Sequence, residues 1–260
     1  MTIAEMIERK NELGYSYEKI AELSGVPLGT VQKVLGGITK TPRYDTMQAL
    51  AKVLQPEESW RIKEPAHVYG GRRQGTYTTE DYFALPEDKR AELIDGVFYD
   101  MATPSIIHQL VGGEIYTAIK DYIKKKKGLC IPAMSPISVQ LDCDNKTMVE
   151  PDVIVVCDRD KLQQQVVYGA PDFVVEILSP STKKKDRTIK LNKYMSAGVR
   201  EYWIVDPDKK HVIVYLADDE IGYTIDVYPF DDCIPVAIFD NECEINFKEI
   251  YEYIKFMYEK

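Results

Sequence analysis

The spacing of apolar residues changes along this 260-residue chain from a purely helical pattern to one that mixes helices and strands. Up to about residue 55, short helical segments alternate with turn residues. Residues 56–75 contain prolines and a glycine pair without a steady apolar period. Beyond them, helical segments alternate with short apolar runs. We therefore predict a small all-α domain over residues 1–55, a linker over 56–75 and a mixed α/β domain over 76–260.

The elements of the large segment can be placed from the same spacing. AELIDGVFYDM predicts two strands that are joined at the Asp95–Gly96 turn. Thr79 is expected to cap a short helix, and Ser105 a long one that ends at four lysines before Gly128. Strands are predicted at about 136–141, 153–156 and 173–178, helices at about 185–197 and 247–257, and a three-stranded antiparallel meander between those helices.

The front segment has the spacing of two helices that cross closely at a tight turn. Ser16 is the predicted N-cap of the first helix, and Ala21 is small enough to let the second helix approach. Gly25 stands at the turn, where a left-handed backbone is easiest without a Cβ. The apolar faces comprise Ile20, Val26, Val31 and Val34. A helical hairpin that binds nothing is the alternative, but the joint spacing favours a DNA-binding pair.

These spacings resemble the lambda-repressor and Cro type of helix-turn-helix over roughly residues 3–55. The resemblance implies that the second helix enters the major groove, where Gln32 could pair with adenine and Lys33 with guanine or a phosphate. The candidate base contacts are Leu28, Thr30, Gln32 and Lys33, and the candidate backbone contacts are Lys19, Lys40 and Arg43.

The net charge of −9 is unevenly distributed and limits how the chain can bind DNA. Residues 1–70 hold nine Lys or Arg and nine Asp or Glu, so the remaining 190 residues carry the whole excess. This balance argues against non-specific nucleic-acid binding by the whole surface, so DNA contacts must come from local basic patches. A neutral helix-turn-helix commonly needs a second copy or a second DNA-binding surface for useful affinity.

Cysteine usage and hydropathy indicate a cytoplasmic protein without a membrane segment. The five cysteines are odd in number and form no C-x-x-C pair, which favours reduced thiols over a disulfide framework or a zinc site. No apolar run is long enough to span a bilayer, and MTIAEMIERKNEL lacks the apolar stretch of a signal peptide.

Three acidic residues of the large segment fall on or beside predicted strands. Glu92 lies in the first hairpin, Asp152 follows Pro151 before an apolar run, and Glu176 interrupts DFVVEIL. A carboxylate inside an apolar strand is costly unless it is paired or binds a cation. Each also has an ordinary alternative: a solvated strand residue for Glu92, a turn residue for Asp152, and half of a buried ion pair for Glu176.

The order of the motifs adds a resemblance to these observations. ELIDG, EPDVIVV, PDFVVEILSPST and GVREYWIVDP together resemble the Uma-type restriction endonuclease family, a branch of the PD-(D/E)xK nuclease superfamily, over roughly residues 76–253. The resemblance implies a restriction-endonuclease-like mixed sheet flanked by helices, with Mg²⁺ or Mn²⁺ held by acidic side chains. It maps the Pro-Asp element onto Pro151 and Asp152, the (D/E)xK acid onto Glu176, and an upstream acid onto Glu92.

One position departs from the superfamily pattern. Leu178 stands where the lysine of an E-x-K element would be, so a replacement must come from elsewhere. Asp186, Lys190 and Tyr194 are four residues apart and share a helix face. Lys190 is our candidate for the lysine that orients the water or stabilises the phosphate. An ion pair with Asp186 is an equal alternative, and Lys193 is a weaker substitute.

Further polar groups near these motifs have open roles. His108, in the first turn of the long helix, matches a histidine of Uma-type sequences and has a structural role as its alternative. A basic cluster after Glu176 could hold backbone phosphates or be simply solvated. It consists of Lys183, Lys184, Lys185 and Arg187. We assign Tyr202 and Trp203 to the core.

Two functions from different classes are consistent with the sequence. The first is a metal-dependent DNA endonuclease that the helix-turn-helix targets, acting as a homodimer because paired cuts and paired half-sites require two copies. The second is a DNA-binding transcriptional regulator whose large domain keeps the nuclease fold without turnover, an interpretation that Leu178 and the acidic surface motivate. A phosphate-cleaving enzyme acting on RNA or nucleotides would share the same site.

Overall fold

A computed structural model of the protein describes residues 3–13, 15–37, 39, 42–54, 74–179, 186–218, 220 and 222–259. The chain divides into two units, one built mainly on residues 1–67 and the other on most of residues 68–260. Most of the predicted linker lies outside the described residues. No helix in the described part of the chain is long and apolar enough to cross a membrane.

The front unit consists of short helices that surround a small apolar core. They are α1 (Ile3–Leu13), α2 (Tyr17–Ser24), α3 (Leu28–Leu35) and α4 (Tyr44–Leu54). The Ser16 hydroxyl accepts a hydrogen bond from the Lys19 amide at 3.2 Å, which confirms the predicted N-cap of α2. Gly25 ends α2 with a φ of +71°, the left-handed conformation that its position at the turn requires.

The core of the front unit joins all of these helices. The fully buried side chains come from each of them, and they include Met6, Ile20, Val31, Leu50 and Leu54. Val26 and Val34, which the spacing assigned to the apolar faces, are also buried. Eight-residue helices have little stability alone, so packing around this core holds α2 and α3 in place.

The large unit alternates strands and helices. Its helices are α5 (Thr79–Phe83), α6 (Ile106–Lys126), a π-helical segment (Asp186–Lys190) that continues into α7 (Leu191–Ala197), α8 (Phe247–Ile254), and 3₁₀ turns at Arg159–Lys161, Ala237–Phe239 and Lys255–Met257. Its strands are β1 (Ala91–Ile94), β2 (Val97–Asp100), β3 (Ile131–Met134), β4 (Val139–Gln140), β5 (Val153–Val156), β6 (Val167–Tyr168), β7 (Phe173–Ile177), β8 (Glu201–Asp206), β9 (His211–Asp218), β10 (Gly222–Pro229), β11 (Cys233–Val236) and β12 (Cys243–Asn246).

A six-stranded sheet in the order β10-β9-β8-β7-β5-β3 forms the centre of this unit. β7 and β8 run parallel, whereas β3 and β5, β5 and β7, and β8 and β9 are antiparallel. The predicted mixed sheet with flanking helices is thus confirmed. β1–β2 and β11–β12 form antiparallel hairpins, and β4 pairs in parallel with β6.

The core lies between α6 and the central strands. Ile115 and Ile119 on the inner face of α6 are fully buried, as are Phe173 and Trp203 in the sheet. The rings of Phe173 and Trp203 meet edge to face with centroids 5.2 Å apart. Every residue of β5, β7 and β8 is buried, as their uninterrupted apolar runs predict. Tyr202 and Trp203 belong to the core as expected.

Three predicted details differ from the structure. Of the strand expected over residues 136–141, only β4 (Val139–Gln140) forms, and Pro136 before it has no amide proton to donate to a sheet. α5 is capped by Thr78, whose amide donates to the Asp81 carboxylate at 3.0 Å. The Thr79 amide instead donates to the carbonyl of Asn145. The β11–β12 hairpin was not predicted from the sequence.

The expectation of reduced cysteines is wrong for one pair. Cys130 and Cys157 form a disulfide with their Cα atoms 3.9 Å apart. The antiparallel register of β3 and β5 pairs Ile131 with Val156, so the two cysteines face each other just beyond the strand ends. Sequence spacing gives no indication of this pairing, because the register of two strands brings the thiols together. Cys143, Cys233 and Cys243 are free.

Truncation of Ile115 tests the packing of α6 on the sheet. Ile115→Ala should lower the free energy of unfolding by about 2–5 kcal/mol, because it leaves a cavity in a close-packed core. Urea denaturation followed by circular dichroism measures this. Thr117→Ala, at an exposed position of the same helix, should change stability by less than about 0.5 kcal/mol. Equal effects of both changes would contradict the packing.

Candidate active site

A pocket lies where β5 begins and β7 ends. Strand β1, the start of α6, the loop at residues 101–104 and the π-helical segment also contribute to its wall. The lining includes all four residues that the sequence singled out as catalytic, namely Glu92, Asp152, Glu176 and Lys190. Segments that are far apart in the chain therefore bring these side chains to a common space.

The antiparallel pairing of β5 with β7 places two of the carboxylates side by side. Val153 pairs with Val175, so one residue further along the ladder Asp152 stands across from Glu176. Residues directly opposite on neighbouring strands project from the same face of a sheet. The Asp152 carboxylate also accepts a hydrogen bond from the Ile177 amide at 2.7 Å, which fixes its orientation at the strand end.

The third carboxylate, Glu92, is brought in by the β1–β2 hairpin. Leu93 exchanges two backbone hydrogen bonds with Met148, at 2.8 and 2.7 Å, which dock the hairpin beside the segment that precedes Asp152. Glu92 Oε1 accepts the amide of Glu150 at 3.0 Å, and Glu92 is only 1% exposed. The alternative of a solvated strand residue is therefore wrong for Glu92.

The ammonium of Lys190 joins two of these carboxylates. Lys190 Nζ lies 2.7 Å from Glu92 Oε1 and also contacts Glu176 Oε1. Asp186 Oδ1, the partner that helical spacing predicts, is further away at 3.9 Å. Lys190 thus pairs with Asp186, as the alternative expects, and also contacts two of the candidate carboxylates, whereas its catalytic role stays a prediction. A π-helical turn of this kind is frequent at functional sites.

A tyrosine to which the sequence gave no role completes the surroundings of Glu176. The hydroxyl of Tyr194, which is fully buried, donates to Glu176 Oε1 at 2.6 Å. The hydroxyl of Tyr202 donates to the backbone carbonyl of Asp186 at 3.1 Å and so supports the π-helical turn. The spacing of Asp186, Lys190 and Tyr194 placed Tyr194 on the right helix face but could not name its partner.

Burial and crowding of charges determine the protonation of the site. Burial raises the pKa of Glu176 well above its usual value, Lys190 opposes this, and the charges of Asp186, Asp152 and Glu92 add to it. Burial lowers the pKa of Lys190, but the neighbouring carboxylates outweigh burial and hold that pKa well above its usual value. Lys190 is therefore charged. Burial also raises the pKa of Tyr194, which remains a donor.

His108 contacts the remaining carboxylate from the first turn of α6. Its amide donates to the capping hydroxyl of Ser105 at 3.2 Å, so the helix start fixes the position of the side chain. His108 Nε2 lies 3.1 Å from Asp152 Oδ2. His108 Nδ1 is buried and has no hydrogen-bond partner among the residues that the structure describes. The histidine therefore lies at the pocket, in contact with Asp152.

A second polar network at the rim was missed in the sequence. Arg90 Nη2 lies 2.6 Å from Glu150 Oε2, and the hydroxyl of Tyr82 donates to Glu150 Oε1 at 2.9 Å. The Arg90 side chain is 42% exposed and lines the pocket. Arg90 and Glu150 each stand two residues before a candidate carboxylate, Glu92 and Asp152, and this proximity could have identified them.

Other candidates lie away from the carboxylate set. Leu178 is buried, and its amide donates to the carbonyl of Val205, so the usual lysine position is filled by an apolar side chain. Lys193 Nζ lies 2.6 Å from both Asp95 Oδ1 and Asp142 Oδ2, where it joins the β1–β2 turn to a neighbouring loop. The basic cluster at residues 183–185 and the Arg187 side chain lie outside the described residues.

Most of the predicted DNA contacts of the front unit are on its surface. Leu28, Gln32 and Lys33 are exposed along α3, and Thr30 is half-buried. Arg43 is exposed, and Lys40 lies outside the described residues. Lys19 is exposed and forms a 3.1 Å ion pair with Glu22, its neighbour on α2. The outward face of α3 is therefore accessible to a ligand.

The carboxylates of the pocket have the chemistry to bind a hard divalent cation, but the ammonium of Lys190 already lies between two of them. Carboxylate oxygens are the ligands that Mg²⁺ and Mn²⁺ prefer. Nevertheless, within the described part of the chain no three His, Cys, Asp or Glu side chains are arranged to hold a metal ion. The ammonium of Lys190 lies between Glu92 and Glu176 instead.

Comparison with known proteins assigns the chain to a family. Residues 79–247, which carry every element of the pocket, match the Uma2 family model described as “Putative restriction endonuclease”. The chain belongs to the Uma2 family. Residues 6–59 match a model described as “Helix-turn-helix”. A helix-turn-helix domain thus precedes the Uma2 domain, as the two resemblances predicted.

Two relatives illustrate what the Uma2 domain is similar to. An “uncharacterized protein” of Synechocystis sp. is 29% identical over 157 residues, which are 59% of this chain and 80% of that protein. A crystal structure from Anabaena variabilis, described as a “putative nuclease belonging to DUF820”, superposes with a TM-score of 0.56 and 22% identity. The superposition covers 68% of this chain and 98% of the other, and at this identity it supports the fold.

Removal of the Tyr194 hydroxyl tests how Glu176 is held in the Uma2 domain. Tyr194→Phe should lower the free energy of unfolding by about 1–3 kcal/mol, because a buried carboxylate oxygen loses a donor. Thermal or urea denaturation gives the change. Tyr116→Phe, on α6 away from the pocket, is the matched control and should alter stability by less than about 0.5 kcal/mol. A Tyr194 variant as stable as the control would refute this arrangement.

Proposed function

We propose that the protein is a metal-dependent DNA endonuclease whose helix-turn-helix domain directs phosphodiester hydrolysis by the Uma2 domain. The observation that supports this most is the meeting of Glu92, Asp152, Glu176 and Lys190 in one pocket. An ammonium among several buried carboxylates at the end of a sheet is costly as a purely structural device, and such perturbed groups concentrate at functional sites. Membership of the Uma2 family supports the same reaction.

Each side chain of the pocket has a chemical role in this proposal. Glu92, Asp152 and Glu176 would hold Mg²⁺ or Mn²⁺. Such an ion supplies an acidified water and neutralises charge on the phosphate. Lys190 would orient the attacking water or stabilise the charge that develops on the phosphate. Tyr194 holds the Glu176 carboxylate through its hydroxyl, and His108 holds that of Asp152.

The rim of the pocket offers a cation to the substrate. The Arg90 side chain is half-exposed. An ion pair between Arg90 Nη2 and Glu150 Oε2, which are 2.6 Å apart, fixes the direction of its guanidinium. A guanidinium held in this way is suited to a phosphate oxygen, because its planar donors can bind two oxygens at once. In a protein of net charge −9, such local cations are needed to accept an anionic strand.

The helix-turn-helix domain would supply the targeting. Leu28, Gln32 and Lys33 are exposed on α3, as contacts with DNA bases would require. Lys19 and Arg43 are also exposed and would contact the phosphate backbone of the DNA. We propose a cytoplasmic homodimer, because a neutral helix-turn-helix gains affinity from a second half-site and because two pockets are needed to cut both strands.

Carboxamide variants test the cleavage reaction. In a plasmid-nicking assay with Mg²⁺ or Mn²⁺, Asp152→Asn and Glu176→Gln should each reduce the rate by more than about 100-fold, because even partners of metal ligands are commonly worth 10–100-fold. Glu114→Gln, which changes a half-buried acid of α6 outside the pocket, is the control for the loss of one charge and should keep the wild-type rate.

The opposing results separate this function from its alternative. If wild-type protein does not nick with any divalent ion, or if Asp152→Asn cleaves as fast as Glu114→Gln, the endonuclease proposal fails. Sequence-specific DNA binding without cleavage would then favour the regulator, for which the buried Leu178 in the usual lysine position is the supporting observation.

The DNA contacts of α3 have a separate test. Gln32→Ala and Lys33→Ala should each weaken binding to the cognate DNA by about 5- to 100-fold, because a good base contact is worth about 1–3 kcal/mol. Electrophoretic mobility shift or fluorescence anisotropy on DNA selected by the wild-type protein measures this. Lys52→Ala, an exposed lysine of α4, controls for the lost charge. Equal affinities of all three variants would exclude α3 as the base-contacting helix.

A further inference from the structure

The position of the Lys190 ammonium is in conflict with the site that the family pattern implies. Lys190 Nζ is 2.7 Å from Glu92 Oε1 and in direct contact with Glu176 Oε1, and Asp186 Oδ1 is 3.9 Å away. The Lys190 side chain is only 3% exposed. The ammonium therefore occupies the space between the two glutamates rather than standing beside it.

An ammonium and a divalent ion compete for the same carboxylates. Both are cations that require contact with the carboxylate oxygens, and at separations of a few ångströms in a protein interior their mutual repulsion is strong. Three carboxylates surround this single ammonium, from Glu92, Glu176 and Asp186. Oε1 of Glu92 and Oε1 of Glu176 are thus already in contact with a cation.

The lysine side chain is suited to leave this position. It is a compact charge on a flexible four-carbon stem, so rotation about its side-chain bonds moves the ammonium without moving the helix. Lys190 and Arg90 both line the pocket. An ammonium that leaves the glutamates would therefore enter the space where an anionic substrate is expected.

We propose that Lys190 is a resident cation of the Uma2 pocket, which divalent metal must displace from Glu92 and Glu176 before the site becomes competent. In the absence of metal the ammonium keeps the buried glutamates compensated. When metal takes those oxygens, Lys190 turns into the pocket and faces the phosphate. The identities of the metal and the phosphate rest on the proposed function, whereas the competition concerns binding alone.

Calorimetric titration of Mn²⁺ into the full chain tests the competition. Lys190→Met, which keeps the length of the side chain and removes its charge, should bind Mn²⁺ at least about tenfold more tightly than wild type. Lys190→Arg keeps the charge and should not gain affinity. Lys193→Met removes an ammonium one helical turn away, on Asp95 and Asp142, and controls for the general effect of one lost cation.

A measurement on the wild-type protein covers the case in which Lys190→Met does not fold. Limited acetylation followed by peptide mass spectrometry should show Lys190 protected without metal and several-fold more reactive at saturating Mn²⁺, with Lys193 unchanged. If Lys190 stays protected at every Mn²⁺ concentration, or if folded Lys190→Met binds Mn²⁺ no more tightly than Lys193→Met, the proposal is overturned.

These outcomes are independent of cleavage. Wild-type protein that nicks DNA while Lys190→Met gains no affinity would leave the endonuclease function standing and remove the competition. Protein that never nicks DNA, but in which Lys190→Met binds Mn²⁺ more tightly, would remove the proposed function and support the competition.

Discussion

The buried carboxylate of Glu176 is the constraint on which the rest of the pocket depends. It lies in β7, a strand whose every residue is buried, and Glu176 itself is 4% exposed. Such a charge is costly unless other groups compensate it. The protein provides a contact with the ammonium of Lys190 and a 2.6 Å hydrogen bond from the Tyr194 hydroxyl. The same helical region supplies both groups, so this carboxylate links that region to the central sheet.

Compensation of Glu176 also ties distant parts of the chain together. Because Lys190 also contacts Glu92, the β1–β2 hairpin is held to the end of the central sheet through the same ammonium. Lys193 makes a second link one turn later, to Asp95 in the hairpin turn. The candidate site therefore also links segments of the fold that are far apart in the chain. Loss of one charged member leaves a buried partner uncompensated and therefore lowers the stability of the fold.

The lysine that contacts Glu176 comes from outside the strand that carries Glu176. Leu178 fills the strand position that the superfamily pattern reserves for lysine, and its side chain is buried. Lys190, on the π-helical segment that follows in the chain, contacts Glu176 Oε1. The four-residue spacing from Asp186 indicated Lys190 as the replacement, but its contact with Glu92 spans 98 residues of sequence and could not be inferred from that spacing.

The sequence by itself determined the local elements and the motif positions: the helix pair around Gly25, the Ser105 cap of α6, the buried runs of β5, β7 and β8, and the carboxylates Asp152 and Glu176. Apolar periodicity and capping act within a few residues, so a linear pattern is sufficient for them. Only the tertiary structure decided the Cys130–Cys157 disulfide, the shortening of the strand predicted over residues 136–141 to β4, and the burial of Glu92 against the amide of Glu150. These features depend on strand register and on packing between segments many residues apart, which periodicity along the chain does not specify.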